Sequence, residues 1–177
     1  MQPSLLSSEI PADPRDWWLS IKYDGIRAIW TGERLLTRNG RPLAAPQWFI
    51  DGLPTNRLDG ELWMGNGTFK ELLSELQRKG ADWHEVRLMV FDLAEAGVFE
   101  DRMQRLENIP LPAHVSRVIH RRCAGTGDLD TTEREIVAEG GEGCVLRRPG
   151  HLYRPGRAGD VVKVKRLCAD SDNSQLD

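Results

Sequence analysis

The run Trp18-Leu19-Ser20-Ile21-Lys22-Tyr23-Asp24-Gly25-Ile26-Arg27-Ala28-Ile29 sets a lysine, an acid, a glycine and an arginine inside an apolar alternation. Period-two alternation predicts a β-strand over 17–30, on which Lys22 and Asp24 share a face. An amine and a carboxylate on one face, beside a glycine that lets other backbone approach, equip a lysine to act as a nucleophile in a phosphate-binding cleft. A solvated strand face would read the same way over so few residues, so the segments around it decide.

Outward from this run, strand signals fall at 33–38, 57–64, 86–93, 115–122, 142–148 and 160–166. Helical spacing of Phe69, Leu72, Leu73 and Leu76 predicts a helix over 69–79, with Thr68 and Glu71 as a capping box and Gly80 as its stop. A second helix is expected over 99–107. A third is expected over 131–139, opened by Asp130 with Glu133 and closed by Gly140-Gly141. Strands come in sequential runs that helices do not regularly interrupt. The expected class is therefore α+β, with antiparallel β-sheets flanked by helices.

Five more segments carry polar groups that a strand core does not need. Thr37-Arg38-Asn39-Gly40 closes a strand in a turn and leaves Arg38 within reach of a phosphate or sugar. Leu58-Asp59-Gly60-Glu61-Leu62 holds two acids among apolar neighbours, and a half-buried carboxylate needs a partner. Leu88-Met89-Val90-Phe91-Asp92-Leu93 reads as a central strand whose Phe91 is either core or a surface for stacking on a base. Glu142, after Gly140-Gly141 and before Gly143, suits a divalent cation on phosphates. In Val161-Val162-Lys163-Val164-Lys165 the alternation puts both lysines on one face, as a solvated edge or a phosphate clamp.

The chain has 177 residues, enough for one domain with a substantial core. No apolar run is long enough to span a membrane. Met1 to Pro14 lacks a signal pattern, so the expected compartment is the cytoplasm, or the periplasm for a mature form whose signal was removed. A net charge of −3 excludes coating of nucleic acid by bulk charge and requires a local basic patch for any such contact. Cys123, Cys144 and Cys168 lie far apart without histidines at metal spacing, which argues against a zinc site; Cys144 reads as core.

Taken in order, these motifs resemble the covalent nucleotidyltransferases: DNA ligases, RNA ligases and mRNA capping enzymes. Lys22-x-Asp24-Gly25-x-Arg27 resembles the motif of the nucleotidylated lysine, and Thr37 to Gly40 the arginine motif that follows. Asp59-Gly60-Glu61, Phe91, Glu142-Gly143-Cys144-Val145 and Lys163-Val164-Lys165 are similar to the later ones. Within the family the chain looks most like the adenylation domain of minimal ATP-dependent DNA ligases. Ala45 to Phe49 and Leu152-Tyr153-Arg154-Pro155-Gly156-Arg157 add to that likeness. The missing features of NAD-dependent ligases favour ATP.

The resemblance implies that Lys22 attacks the α-phosphate of ATP and carries AMP to the 5′-phosphate of nicked duplex DNA, where a 3′-hydroxyl displaces it. Lys163 and Lys165 would assist catalysis, favour a neutral Lys22 by like-charge repulsion, and bind phosphate. Arg27 and Arg38 would hold phosphate or ribose, Glu61 the ribose hydroxyls, and Phe91 the adenine. Ser20 is a candidate base contact. Glu142 and Asp24 would hold Mg²⁺, and Arg147, Arg148, Arg154 and Arg157 are candidates for DNA phosphates. Residues 1–167 would form this domain and 168–177 a polar tail. An OB-fold is not expected in the chain and would come from a partner in trans; the protein is expected to be a monomer. The rival readings are an RNA ligase, a GTP-using capping enzyme, and a non-catalytic nucleotide or DNA-end binding module.

Overall fold

The computed structural model of the chain describes residues 10–154 and 159–165. The described residues form two sheets. The first has the strand order β7-β1-β8-β9: β7 is Arg121–Arg122, β1 Trp18–Ile21, β8 Cys144–Arg147 and β9 Val161–Val164. The second has the order β3-β2-β4-β5-β6, comprising Leu35–Thr37, Ile26–Trp30, Leu58–Trp63, Arg87–Leu93 and Val115–Arg117. The helices are α1 (Gln47–Ile50), α2 (Phe69–Gln77), α3 (Phe99–Glu107) and α4 (Thr126–Ala138).

The expected α+β class is found, with one difference. Every pairing is antiparallel except β5 with β6, which is parallel. A parallel neighbour needs a crossover, and the segment carrying α3 supplies it.

Alternation along the strands builds two cores. In the first sheet Leu19, Cys144, Leu146, Val162 and Val164 point to one side and pack with Cys123, just before α4, and Leu129 within it. In the second sheet Ala28, Trp30, Leu58, Leu62, Leu88 and Val90 pack with Phe49, Leu72 and Leu106 of α1, α2 and α3. The opposite faces carry the polar residues.

The predicted strand over 17–30 is two strands in different sheets, and residues 22–25 are the link between them. Lys22 and Asp24 therefore do not share a strand face. Gly25 is required here by space: a Cβ would collide with the backbone oxygen of Leu62 and meet Glu61 Cγ at 2.8 Å. The 115–122 region likewise divides into β6 and β7.

The helix ends also differ from expectation. Thr68 does not cap α2; its hydroxyl donates to the Gly65 carbonyl at 2.9 Å. Helix α4 begins at Thr126, so Asp130 and Glu133 lie inside it, and Glu133 is buried. Its earlier start is fixed by Asp128, which accepts a forked bond from Arg121 at 2.7 and 2.8 Å and one from the Ala124 amide at 2.8 Å. Helix α1 is a single turn, too short to leave a periodicity.

Candidate active site

The polar faces of the two sheets meet in a cleft. Because side chains alternate, Ser20, Val145, Arg147, Val161 and Lys163 share the face of the first sheet that lies opposite its core. Arg27, Asp59 and Glu61 do the same in the second. Lys22 follows directly on β1, and its amide donates to the Gly143 carbonyl at 2.8 Å, continuing the β1–β8 ladder by one residue.

Lys22 Nζ forms an ion pair with Glu142, and both side chains are less than a fifth exposed. Lys165 Nζ reaches the other oxygen of Glu142 at 3.3 Å. Burial pushes the Glu142 carboxyl up, but the hydrogen bonds and charges of Lys22 and Lys165 outweigh it and hold the group below the usual glutamate range. The nucleophile candidate is thus matched by an anion as well as opposed by cations. Lys163 lies close enough to Lys22 for burial and then that like charge to lower its pKa; Glu61 and Glu142 oppose this shift, and Arg38 adds to it.

Across the cleft, Glu61 is raised to about 7, chiefly by burial; the charges of Lys163, Lys22 and Arg27 oppose that shift. Arg27 forms a fork with Asp59, Nε to Oδ1 at 2.9 Å and Nη2 to Oδ2 at 2.6 Å. That hydrogen bond is the largest cause of the raised Arg27 pKa. Tyr153 donates its hydroxyl to Asp59 Oδ2 at 2.9 Å, so one buried carboxylate ties the β8–β9 connection to the arginine.

Phe91 sits where the register between β4 and β5 shifts: Asp59 opposes Asp92 while Gly60 opposes Val90. Phe91 is the extra residue of this bulge, and bulges re-aim side chains. Its ring lies 5.8 Å from the Arg27 guanidinium carbon and 5.1 Å from that of Arg147.

The remaining candidates divide. Arg38 is exposed just beyond β3. Asp24 is half-buried in the link, and its carboxylate has no ion pair among the described residues. Arg148 is exposed and meets Asp160 at 3.3 Å. Arg154 is also exposed, while Arg157 and the tail lie outside the described residues. Arg147 departs from expectation. It is 5% exposed, and its Nη1 donates to Ser20 Oγ at 2.9 Å, so it belongs to the cleft floor and not to an outer DNA-facing surface. The sequence singled out the segments of Asp59 and Tyr153 but not their link to Arg27. Only the period-two spacing of Asp59 and Glu61 could have suggested that both face the cleft.

No group of three or more His, Cys, Asp or Glu side chains that could cage a metal is found among the described residues. One carboxylate, Glu142, at the lysine cluster fits Mg²⁺, which is commonly held by one or two carboxylates together with substrate phosphates. No described helix is long and apolar enough to cross a membrane.

The chain is similar to DNA ligases over most of its length. Over 155 residues, 84% of the chain, it is 33% identical to a DNA ligase of Haemophilus influenzae, of which it spans 58%. A solved Lig E DNA ligase, studied for DNA binding with a minimal scaffold, superposes with a TM-score of 0.82 at 32% identity, covering 88% of this chain and 64% of that one. The Chlorella virus DNA ligase-adenylate gives 0.72 at 23% identity, with 85% and 62% covered, and speaks to the fold alone. The chain thus spans less than two thirds of each of these relatives. No protein-family model matches it. With the lysine, Glu61, Phe91 and Glu142 motifs set on two facing sheets, the chain belongs to the DNA ligase family, and it is the nucleotidyltransferase domain of those enzymes that it matches.

Proposed function

We propose that the chain is the catalytic domain of an ATP-dependent DNA ligase, with Lys22 as the residue that carries AMP. The observation that carries this reading is the ion-paired cluster of Lys22, Glu142 and Lys165, set close to Glu61 and Lys163.

Neutral Lys22 Nζ forms a bond to the α-phosphorus of ATP as the bond to pyrophosphate breaks. Glu142, ion-paired with Lys22 and Lys165, orients the amine and would hold a cation. Mg²⁺, when bound, would supply charge neutralisation on the phosphates, and Glu142 would hold it, with Asp24 as a second candidate. Lys163 and Lys165 stabilise charge on the phosphate in transit. Arg27, fixed by Asp59, and Arg38 hold phosphate or ribose. Ionised Glu61 accepts the ribose hydroxyls, and Phe91 stacks on adenine, with Ser20 at the base edge. The 5′-phosphate oxygen of a nick then displaces Lys22 from AMP, and the 3′-hydroxyl displaces AMP.

Arg148, Arg154 and Arg157 are proposed contacts to DNA phosphates. The domain is proposed to span residues 1–167, with 168–177 as a tail, and to act as a monomer on nicked duplex DNA. We infer action in the cytoplasm, with the periplasm as the alternative.

The test supplies ATP labelled on the α-phosphate together with nicked duplexes. Label passing to the 5′-phosphate of a DNA nick, and not to the corresponding RNA nick, supports the reading. Transfer to RNA alone, or labelling by GTP in preference to ATP, contradicts it.

A further inference from the structure

Two arginines are buried side by side in this molecule and are satisfied very differently. Arg102 is 0% exposed and fully engaged. It forks onto Asp92 at 2.7 and 3.0 Å and donates to the Gly97 and His151 carbonyls at 2.5 and 3.1 Å. This is what a structural guanidinium needs, because a buried charge is costly unless it is paired and its donors are used.

Arg147 is 5% exposed and has no such set. Among the described residues its one hydrogen bond goes to a neutral hydroxyl, Ser20 Oγ, at 2.9 Å. Its guanidinium carbon lies 5.1 Å from the Phe91 centroid and 5.8 Å from that of Phe99. A guanidinium has five N–H donors. A core built only for stability would give this position a carboxylate or an apolar residue. Here it lies near the Phe91 and Phe99 rings and bonds Ser20, while the carboxylates of Asp92 and Asp59 act on it by charge without a hydrogen bond; Phe91 and Ser20 are the two groups assigned to the nucleobase.

The direction of the pocket supports this. Along β1 the cleft-facing residues run from Lys22 to Ser20, from the phosphate end towards the base end. Arg147 lies beyond Ser20, on the neighbouring strand, and so closes the base end. By donating to Ser20 Oγ it occupies one lone pair and leaves the hydroxyl proton to point away from the cation. By lying near Phe91 it restrains a ring that stands on a bulge.

We propose that Arg147 is a positioning residue of the nucleobase pocket, holding Ser20 and the Phe91 ring in the places from which they meet the purine of a bound nucleoside triphosphate. This rests on the nucleotidyl-transfer reading above. It predicts an effect on nucleotide affinity and little on chemistry, since Lys22, Glu142 and Lys163 are left in place.

The experiment titrates ATP in the self-labelling reaction and, separately, measures equilibrium binding of a fluorescent ATP analogue. Four variants of the full chain are compared with the parent: Arg147→Met, Arg147→Lys, Ser20→Ala and the Arg147→Met/Ser20→Ala double. The loss of a hydrogen bond to a charged group predicts KM up about tenfold in Arg147→Met, with kcat within about threefold of the parent. Arg147→Lys keeps the charge and recovers part of the loss. The double variant binds no more weakly than Arg147→Met, because the serine contributes only where the arginine holds it.

Equal KM in parent and Arg147→Met, or strictly additive losses in the double, overturns the proposal while leaving the nucleotidyl-transfer reading intact. If Arg147→Met does not fold, Arg147→Lys and Ser20→Ala decide: unchanged KM in both overturns it. A parent that neither labels nor binds the analogue overturns the proposal and the reading together.

Discussion

The two faces of the first sheet are made by the same short strands and obey opposite rules. On one face, Leu19, Cys144, Leu146, Val162 and Val164 are each at most 2% exposed and form an apolar cluster. On the other, Ser20, Arg147 and Lys163, continued by Lys22 and Lys165, hold a concentration of positive charge opposed by Glu142 and Glu61. Adjacent residues thus belong to different tasks: Leu146 fixes the fold, and Arg147 faces the cleft. The difference shows that stability and chemistry are separated here by strand parity and not by distance. Replacing a residue on one face should leave the other task largely intact.

The sharpest way to break that separation is a substitution on the core face. Leu146→Ala removes a fully buried side chain and is expected to cost about 2–5 kcal/mol. Chemical denaturation measures the loss, and covalent labelling per folded molecule should stay near the parent value. A labelling defect larger than the folded fraction explains would mean that the faces are not independent.

Gly25 tests the link between the sheets. Gly25→Ala pushes a methyl group against Leu62 and Glu61, and overpacking of this kind costs about 1–3 kcal/mol. Since Glu61 is one of the groups displaced, ATP affinity should fall as well as the melting temperature. Calorimetry of folding and of nucleotide binding on one sample checks both. A variant with normal ATP binding would uncouple the link from the cleft.

The smallest effect is electrostatic. Glu61 is raised to about 7 by burial, so the native state binds this proton more readily than the unfolded chain does. Its contribution to stability is present below the ordinary glutamate range and is lost as pH rises through about 7. Melting temperatures between pH 5 and 8 should therefore fall less steeply in Glu61→Gln than in the parent. ATP binding should run the other way, strengthening through the same window as the ribose-holding carboxylate ionises. Identical pH profiles for parent and variant would contradict the environment described for Glu61.

Much of this was legible in the sequence because it depends on local alternation. The strands around Leu58 to Trp63 and Leu88 to Leu93, the run leading into Lys22, and the alternation that carries Lys163 and Lys165 are signalled by apolar spacing, and Glu142 by the glycines around it. What failed to show has a common cause. The break at 22–25 leaves no mark because Lys22 and Tyr23 fit either a strand or a crossing between sheets. The bulge that re-aims Phe91 depends on a partner strand whose register cannot be read from one strand alone. Arg147 reads as one more arginine near a basic segment, since its partner Ser20 lies 127 residues away. Asp128, not Asp130, organises the start of α4 because Arg121 reaches it from the preceding strand. Contacts of this kind belong to the tertiary fold, which local pattern does not encode.

Lys22 is proposed to carry nucleotide at the cleft face of a sheet whose other face is apolar core. Intact mass after incubation with ATP and Mg²⁺, beside Lys22→Ala with a matching melting temperature, tests it most directly. An added AMP is expected on the parent and none on the variant. An adduct of equal yield on both proteins would contradict it.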